Sequence, residues 1–228
     1  MKLYTVFTES HHQMFKDYFI KSFPFESNLE LIVKFKPQVC KTSEFHSDGW
    51  RETMMYKVQC FIDAAYETKD GEYFIFSDPD IQFFKPFYND LLSQVQGFDA
   101  AFQNDYIGGV NTGFFIMKST PNTRAFLQTV KGNLHLFPEE QVCFNHLIGL
   151  FSQHSKIAFN AKFLSREYWT YGEIALQRPR DGQPMSHWNG IEDFDIPKNI
   201  IMHHGNWVKT FKDKTKIMDV VKEKVKNL

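Results

Sequence analysis

The chain has 228 residues, and 26 Lys plus Arg balance 27 Asp plus Glu to a net charge of -1. This length suits one domain spanning residues 1–228 around one substantial core, and the charge balance excludes bulk attraction to nucleic acid as the basis of function. Aromatic residues make up 17%, with 25 Phe, and most of these rings are expected inside, because aromatics are chiefly large apolar cargo.

Leu3 to Phe7 predicts a first strand, with Thr8-Glu9-Ser10 as its polar exit. Met14, Tyr18 and Phe19 follow at helical spacing, and Leu29 to Phe35 predicts a second strand closed by Pro37. Residues 38–47 are a polar connection, and Ser47 or Asp48 would cap the next helix. That helix is written in Trp50, Met54, Val58, Phe61, Ile62 and Ala65, and ends near Lys69-Asp70-Gly71. The β-α-β order predicts an α/β fold with a mixed, mostly parallel central sheet flanked by helices.

Tyr73-Phe74-Ile75-Phe76 is a short continuous apolar run, the mark of a strand buried on both faces. Phe83 to Phe87 suggests a bend, Tyr88 to Val95 a helix closed near Gly97, and Asp99 to Phe102 a brief strand. Gly108 to Gly113 suggests a glycine-rich turn into a strand Phe114 to Met117; it lacks the G-x-G-x-x-G spacing and no helix follows directly, so a dinucleotide loop is excluded. Thr120-Pro121 opens one helix, and Pro138-Glu139-Glu140-Gln141 opens another running through Phe151. Lys156 to Leu164 suggests a strand, residues 165–199 an irregular surface, and Asn199 to Met202 a last strand ending at His203-His204. A terminal amphipathic helix occupies about 212–228. Its lysine-rich outer face is a solvated face first and a weak membrane-surface contact second.

Cys40, Cys60 and Cys143 are odd in number and widely spaced, which predicts buried free thiols in a reducing compartment. No apolar run approaches the roughly 18 residues of a membrane span. With no signal peptide or N-x-Ser/Thr acceptor in view, a cytoplasmic location is expected.

The central strand delivers Ser77-Asp78-Pro79-Asp80 to its carboxyl end, where open α/β sheets bind ligands. Two carboxylates one residue apart suit a hard divalent cation that holds phosphate oxygens. The tripeptide alone is weak: 14 Asp in this chain give roughly one Asp-x-Asp by chance. A second copy, Asp193-Phe194-Asp195, has no apolar strand before it. A third ligand would come from the histidine pair, and strand alternation lets only one of His203 and His204 reach the metal.

Lys57 through Phe87 resembles the nucleotide-diphospho-sugar transferases of the glycosyltransferase A (GT-A) fold, and is similar to plant arabinosyl- and xylosyltransferase-type enzymes and related bacterial or viral glycosyltransferases. Asn111-Thr112-Gly113-Phe114-Phe115-Ile116-Met117 resembles that family's Asn-Thr-Gly strand, Glu140 to Asn145 its acid-Gln helix start, and His204-Gly205-Asn206-Trp207 its terminal His-x-Asn-Trp. These segments keep the family's order over residues 57–207. The chain departs from the pattern at Glu140, often Asp, and at Thr210, where Gly is common.

The resemblance implies transfer of a sugar from a nucleotide-diphosphate donor, most often UDP-linked, to an acceptor hydroxyl on a glycan or glycoconjugate, with Mn²⁺ or Mg²⁺. It implies Asp78, Asp80 and His204 as metal ligands, His204 being favoured over His203 by its spacing to Asn206-Trp207. Thr8, Glu9, Lys57, Ser77, Asp78, Asn111, Thr112, Gly113, Gln141 and Lys214 are the expected donor contacts. Glu140 and Asp105, with Glu139, are the candidate catalytic carboxylates. The competing readings are a non-catalytic nucleotide-sugar or carbohydrate binding module of the same fold, and a metal-dependent nucleotidyltransferase or phosphohydrolase. The latter lacks the basic, Gly-rich phosphate loop expected near Thr8-Glu9-Ser10-His11-His12.

Overall fold

The computed structural model describes residues 1–40, 48–106, 109–154, 159–177, 190 and 193–228, with 149–154 as backbone. In chain order the elements begin with β1 (Lys2–Thr8), a short helix α1 (His12–Met14) that continues into a wider π-helical stretch (Phe15–Ile20), β2 (Glu30–Lys36), α2 (Trp50–Glu67) and β3 (Tyr73–Ser77). They continue with β4 (Ile81–Phe83), α3 (Tyr88–Val95), β5 (Ala100–Asn104), β6 (Val110–Lys118), α4 (Pro121–Asn133) and α5 (Glu140–His154). The last are β7 (Ala161–Phe163), β8 (Tyr168–Thr170), α6 (Tyr171–Gln177), β9 (Met202–His204) and α7 (Phe211–Lys226).

Six strands form the central sheet in the order β2-β1-β3-β6-β5-β7, and β4-β9-β8 form a second, smaller sheet. The central sheet is mixed. β1 runs parallel to β2 and β3, and β5 parallel to β7, whereas β6 is antiparallel to both its neighbours. An antiparallel β6 matters for function, because it lays its own beginning beside the end of β3.

Side-chain alternation divides the strands between two cores. Phe74 and Phe76 of β3 join Phe115 and Met117 of β6 under α2, α4 and α5. Ile75, Phe114 and Ile116 face the other way, onto Phe15, Phe19 and Phe23 and onto Leu91 and Val95 of α3. The aromatic content goes largely into this packing: the Phe61 ring lies 4.5 Å from Phe76, 5.0 Å from Phe115 and 5.7 Å from Phe144, each edge-on. A third cluster, around Trp169, Phe194, Ile217 and Val221, seats α6 and α7 on the small sheet. Cys40, Cys60 and Cys143 are buried free thiols, as expected.

Several expectations change. Gly49, not Asp48, caps α2; its φ of +88° and the 2.3 Å that a Cβ would leave to Val39 O select glycine there. Ser47 lies outside the described residues. Asn111, Thr112 and Gly113 belong to β6 and not to a turn, the positive-φ glycine being Gly109 at +110°. The bend at Phe83 to Phe87 is preceded by β4, and the irregular stretch 165–199 holds β8 and α6. β4 and β8 are three residues each and wholly buried, too short for a period to show. His203 and His204 lie within β9 and do not follow it. The start of the strand expected from Lys156 falls outside the described residues, and its observed part is β7.

Thr120 caps α4 by accepting from Thr123 N, with Pro121 in the first turn, as its sequence requires. On α7 the lysine face is partly consumed: Lys214 turns inward to Asp80, Lys224 lies over the Phe194 ring, and Lys226 pairs with Glu223. No helix among the described residues is long and apolar enough to cross a membrane.

Candidate active site

β3 ends at Ser77, and the next three residues carry Asp78 and Asp80 into a cleft at the sheet's edge. Two neighbours set their positions. Asp78 N donates to Gly113 O at 2.6 Å, which ties the carboxylate turn to the start of β6, and Gly205 N donates to Asp80 O at 3.0 Å, which ties it to the end of β9. β4 and β9 pair Ile81 with His204, so the imidazole enters the cleft beside both acids.

His204 Nε2 lies 3.2 Å from Asp80 Oδ1 and 3.7 Å from Asp78 Oδ2. The ligand atoms of the three residues all fall within 4.8 Å of one another. A Cβ on Gly113 would lie 2.1 Å from His204 Cε1 and 2.7 Å from Asp78 Oδ2, so the close approach of backbone to this group is what requires glycine. Two oxygens and one imidazole nitrogen in this cradle fit a divalent cation such as Mn²⁺. His203 faces the opposite side of β9, against the Trp169 ring at 5.4 Å. The structure thus separates the two histidines.

Two lysines compensate the acids. Lys57 Nζ of α2 lies 2.8 Å from Asp78 Oδ2 and 2.8 Å from Glu140 Oε1, and Lys214 Nζ of α7 lies 2.5 Å from Asp80 Oδ2. Burial opposes ionisation of both aspartates, but the outcomes differ. Asp78 is raised above the usual carboxylate range by burial, to which the Asp80 charge adds. Asp80, equally buried, is held well below that range by Lys214 and His204. Lys57 is raised even though burial works against its charge, because two carboxylates hold it.

Glu140 opens α5, is 4% exposed, and accepts from Thr112 Oγ1 at 3.1 Å. Glu139, Gln141, Asn111 and Gly113 line the same cleft. Val6, Phe7, Thr8, Trp50, Met54 and Tyr56 line it as well. His11 lines the cleft too; burial and then the Lys214 charge lower its pKa to about 4, which keeps it neutral.

Four expected site residues lie elsewhere. Glu9 is exposed at the start of a helical turn and is not among the residues lining the cleft. Ser77 and Thr112 are fully buried behind the wall, Ser77 Oγ donating to Asp78 O at 3.2 Å. Asp105 is fully buried and also outside the cleft. Its Oδ1 accepts from Asn111 Nδ2, Asn206 Nδ2 and Trp207 Nε1, and its Oδ2 from Gln141 Nε2, all at 2.9–3.1 Å. Buried away from the cleft and held by four donors, three on Oδ1 and one on Oδ2, this carboxylate fastens the surrounding segments together. It gathers three of the sequence segments that suggested the family. Burial raises its pKa against those donors.

The sequence profile of the nucleotide-diphospho-sugar transferase family matches residues 28–219. The chain belongs to the nucleotide-diphospho-sugar transferase family. It is therefore grouped with glycosyltransferases, and its architecture agrees with theirs. The transferase is similar in fold to a glycosyltransferase involved in glycosylation of the major capsid of PBCV-1, with a TM-score of 0.57 and 10% identity over 96% of this chain and 98% of that one. It is also similar to the glycosyltransferase GlyE of Streptococcus pneumoniae TIGR4, with a TM-score of 0.58 and 10% identity over 93% of this chain and 55% of that one. A third is the galactosyltransferase LgtC, in complex with donor and acceptor sugar analogs, with a TM-score of 0.51 and 7% identity over 96% and 95%. No curated protein sequence matches the chain. The transferase thus has the GT-A fold, with an Asp-Asp-His group at the expected strand ends.

Three residues inside the resembling segments, to which no role had been assigned, brace the site from behind or beside it. Asn145 holds the start of β6, its Oδ1 accepting from Val110 N at 2.8 Å and its Nδ2 donating to Val110 O at 3.0 Å. Trp207 carries a positive φ of 64°, and Asn206 Oδ1 accepts from Tyr171 N at 3.0 Å. The Glu140 to Asn145 segment contains the first of them, and the His-x-Asn-Trp segment the last two.

Proposed function

We propose that the protein is a single-domain, metal-dependent glycosyltransferase that moves a sugar from a UDP-linked donor to an acceptor hydroxyl on a glycan or glycoconjugate. The observation that carries this reading is the convergence of Asp78, Asp80 and His204 around Gly113 within the family's fold. These three side chains would hold Mn²⁺, the imidazole nitrogen favouring it over Mg²⁺. When bound, the ion supplies Lewis-acid stabilisation of the diphosphate leaving group.

The chain's own residues do the rest. Lys57 and Lys214 bring two ammonium groups to the acidic wall and offer donors to phosphate oxygens. Thr8, with Phe7, Trp50 and Tyr56, gives the nucleoside a mainly aromatic lining. Asn111 and Gln141 orient sugar hydroxyls, while Asp105 fixes both side chains from behind. Glu140 sets a carboxylate beside the donor sugar, where positive charge develops in transfer, and Thr112 holds its oxygen. Glu139 lines the cleft and is the base to test if the acceptor needs one. Three buried free thiols support a reducing, cytoplasmic setting.

With Mn²⁺ and no acceptor, the purified protein is expected to hydrolyse its donor slowly, and Asp80→Ala to abolish this. The measurement is nucleoside diphosphate release across a panel of uridine and guanosine sugars. Calorimetric binding without turnover would favour the binding-module reading. No binding across the panel, with or without Mn²⁺, would overturn the transferase reading.

A further inference from the structure

Gln103 sits where β5 parts from its ladder with β6: Phe102 pairs with Phe115, but Gln103 pairs with Asn111, so Thr112 to Phe114 leave the β5 ladder. The fully buried Gln103 side chain crosses to the small sheet. Its Nε2 donates to Tyr168 O at 3.1 Å and to Trp169 O at 3.0 Å. Carbonyls only accept, so the NH₂ group must face them and Oε1 must face His204. Oε1 lies 3.0 Å from His204 Nδ1. An amide oxygen only accepts as well, so Nδ1 carries the proton of this bond. Nε2 is the nitrogen left facing Asp78 and Asp80.

We propose that Gln103 is a positioning residue for the metal site, which holds the proton on His204 Nδ1, fixes the ring plane, and commits Nε2 to the cation shared with Asp78 and Asp80. The inference rests on the reading of His204 as a metal ligand. Outer partners of this kind orient ligating histidines and raise their basicity. A neutral amide does so without adding another buried negative charge beside Asp78 and Asp80.

The test is nuclear magnetic resonance of protein carrying isotope-labelled histidine, first metal-free and then with Cd²⁺, a diamagnetic stand-in for Mn²⁺. In both states the His204 Nδ1 is expected to bear a proton protected from exchange, and Cd²⁺ to couple to Nε2. Gln103→Met removes the acceptor at similar volume; it should expose that proton to exchange and weaken Mn²⁺ binding by roughly 10–100-fold. Gln103→Glu keeps an acceptor and should keep the protonated Nδ1. An unprotonated Nδ1 in the metal-free wild type, or unchanged Mn²⁺ affinity in a folded Gln103→Met, overturns this inference alone. A wild type that binds neither Mn²⁺ nor Cd²⁺ overturns the metal reading and this inference with it. If Gln103→Met does not fold, the wild-type spectrum decides.

Discussion

A methyl group at Gly113 would have to share space with the His204 ring, whose Cε1 lies 2.1 Å from the ideal Cβ position. The strand cannot yield easily, because Gly113 O accepts from Asp78 N at 2.6 Å and Gly113 N donates to Asn111 Oδ1 at 2.8 Å. The ring must move instead. Gly113→Ala is therefore expected to weaken Mn²⁺ binding at least about tenfold and to cost about 1–3 kcal/mol in stability, as overpacking does. Calorimetric titration with Mn²⁺ and urea unfolding check the two effects. Wild-type Mn²⁺ affinity in the variant would contradict the packing of ligand against glycine. The sequence placed this glycine among the donor contacts but at the end of a glycine-rich turn, whereas it lies inside a strand. Asp78 and Asp80 were legible because a buried strand precedes them. Gln103 was not, since its role depends on a register shift and a contact 101 residues away, which no local spacing encodes.

Among elements, the three-stranded sheet does most to explain what sequence patterns missed. Gln82, His203 and Trp169 are directly paired across β4, β9 and β8, and so lie on one face. On the other face Ile81, His204 and Thr170 form the matching row. One strand thereby supplies a ligand candidate on one side and a core histidine on the other. Short strands assembled from distant parts of the chain carry too few residues for a period, so β4 and β8 escaped notice while α2 and β3 did not. His203 is fully buried, and neither ring nitrogen has a hydrogen-bond partner among the described residues. Burial first, and then the neighbouring His204, lowers its pKa to about 3. The sign follows from the depressed folded value. Above about pH 6.5 the ring is neutral in folded and unfolded chains, whereas below it only the unfolded chain takes up the proton, so stability is lost as pH falls toward 3. From pH 7 to pH 5, metal-free wild type should lose about 2 kcal/mol more than His203→Phe. Urea midpoints at the two pH values measure this, and equal losses in the two proteins would refute a neutral buried His203.

For the whole molecule, the near-neutral total charge of -1 conceals a strong local arrangement. Two cores hold β3 and β6 rigidly side by side, and the third seats α7, whose Thr210 cap accepts from Asp213 N at 3.1 Å just ahead of Lys214. The site is thus assembled from the ends of β1, β3, β6 and β9 and from residues of α2, α5 and α7. Each acid already has a cationic partner in Lys57 or Lys214, so the metal-free fold is not held open by unpaired buried charge. A cation that binds only the folded chain should then add stability by mass action and not rescue folding. At a free Mn²⁺ concentration of about 100 times Kd, the gain is about 2.7 kcal/mol. For a chain of this size that corresponds to a rise in Tm of roughly 5–10 °C. Asp80→Ala should abolish the rise, while His203→Phe, on the opposite face of β9, should preserve it. Thermal unfolding in chelator and in Mn²⁺ reads both variants. An Mn²⁺-dependent rise retained in Asp80→Ala would place the ion elsewhere, and its loss in His203→Phe would remove the division of labour between the two faces of β9.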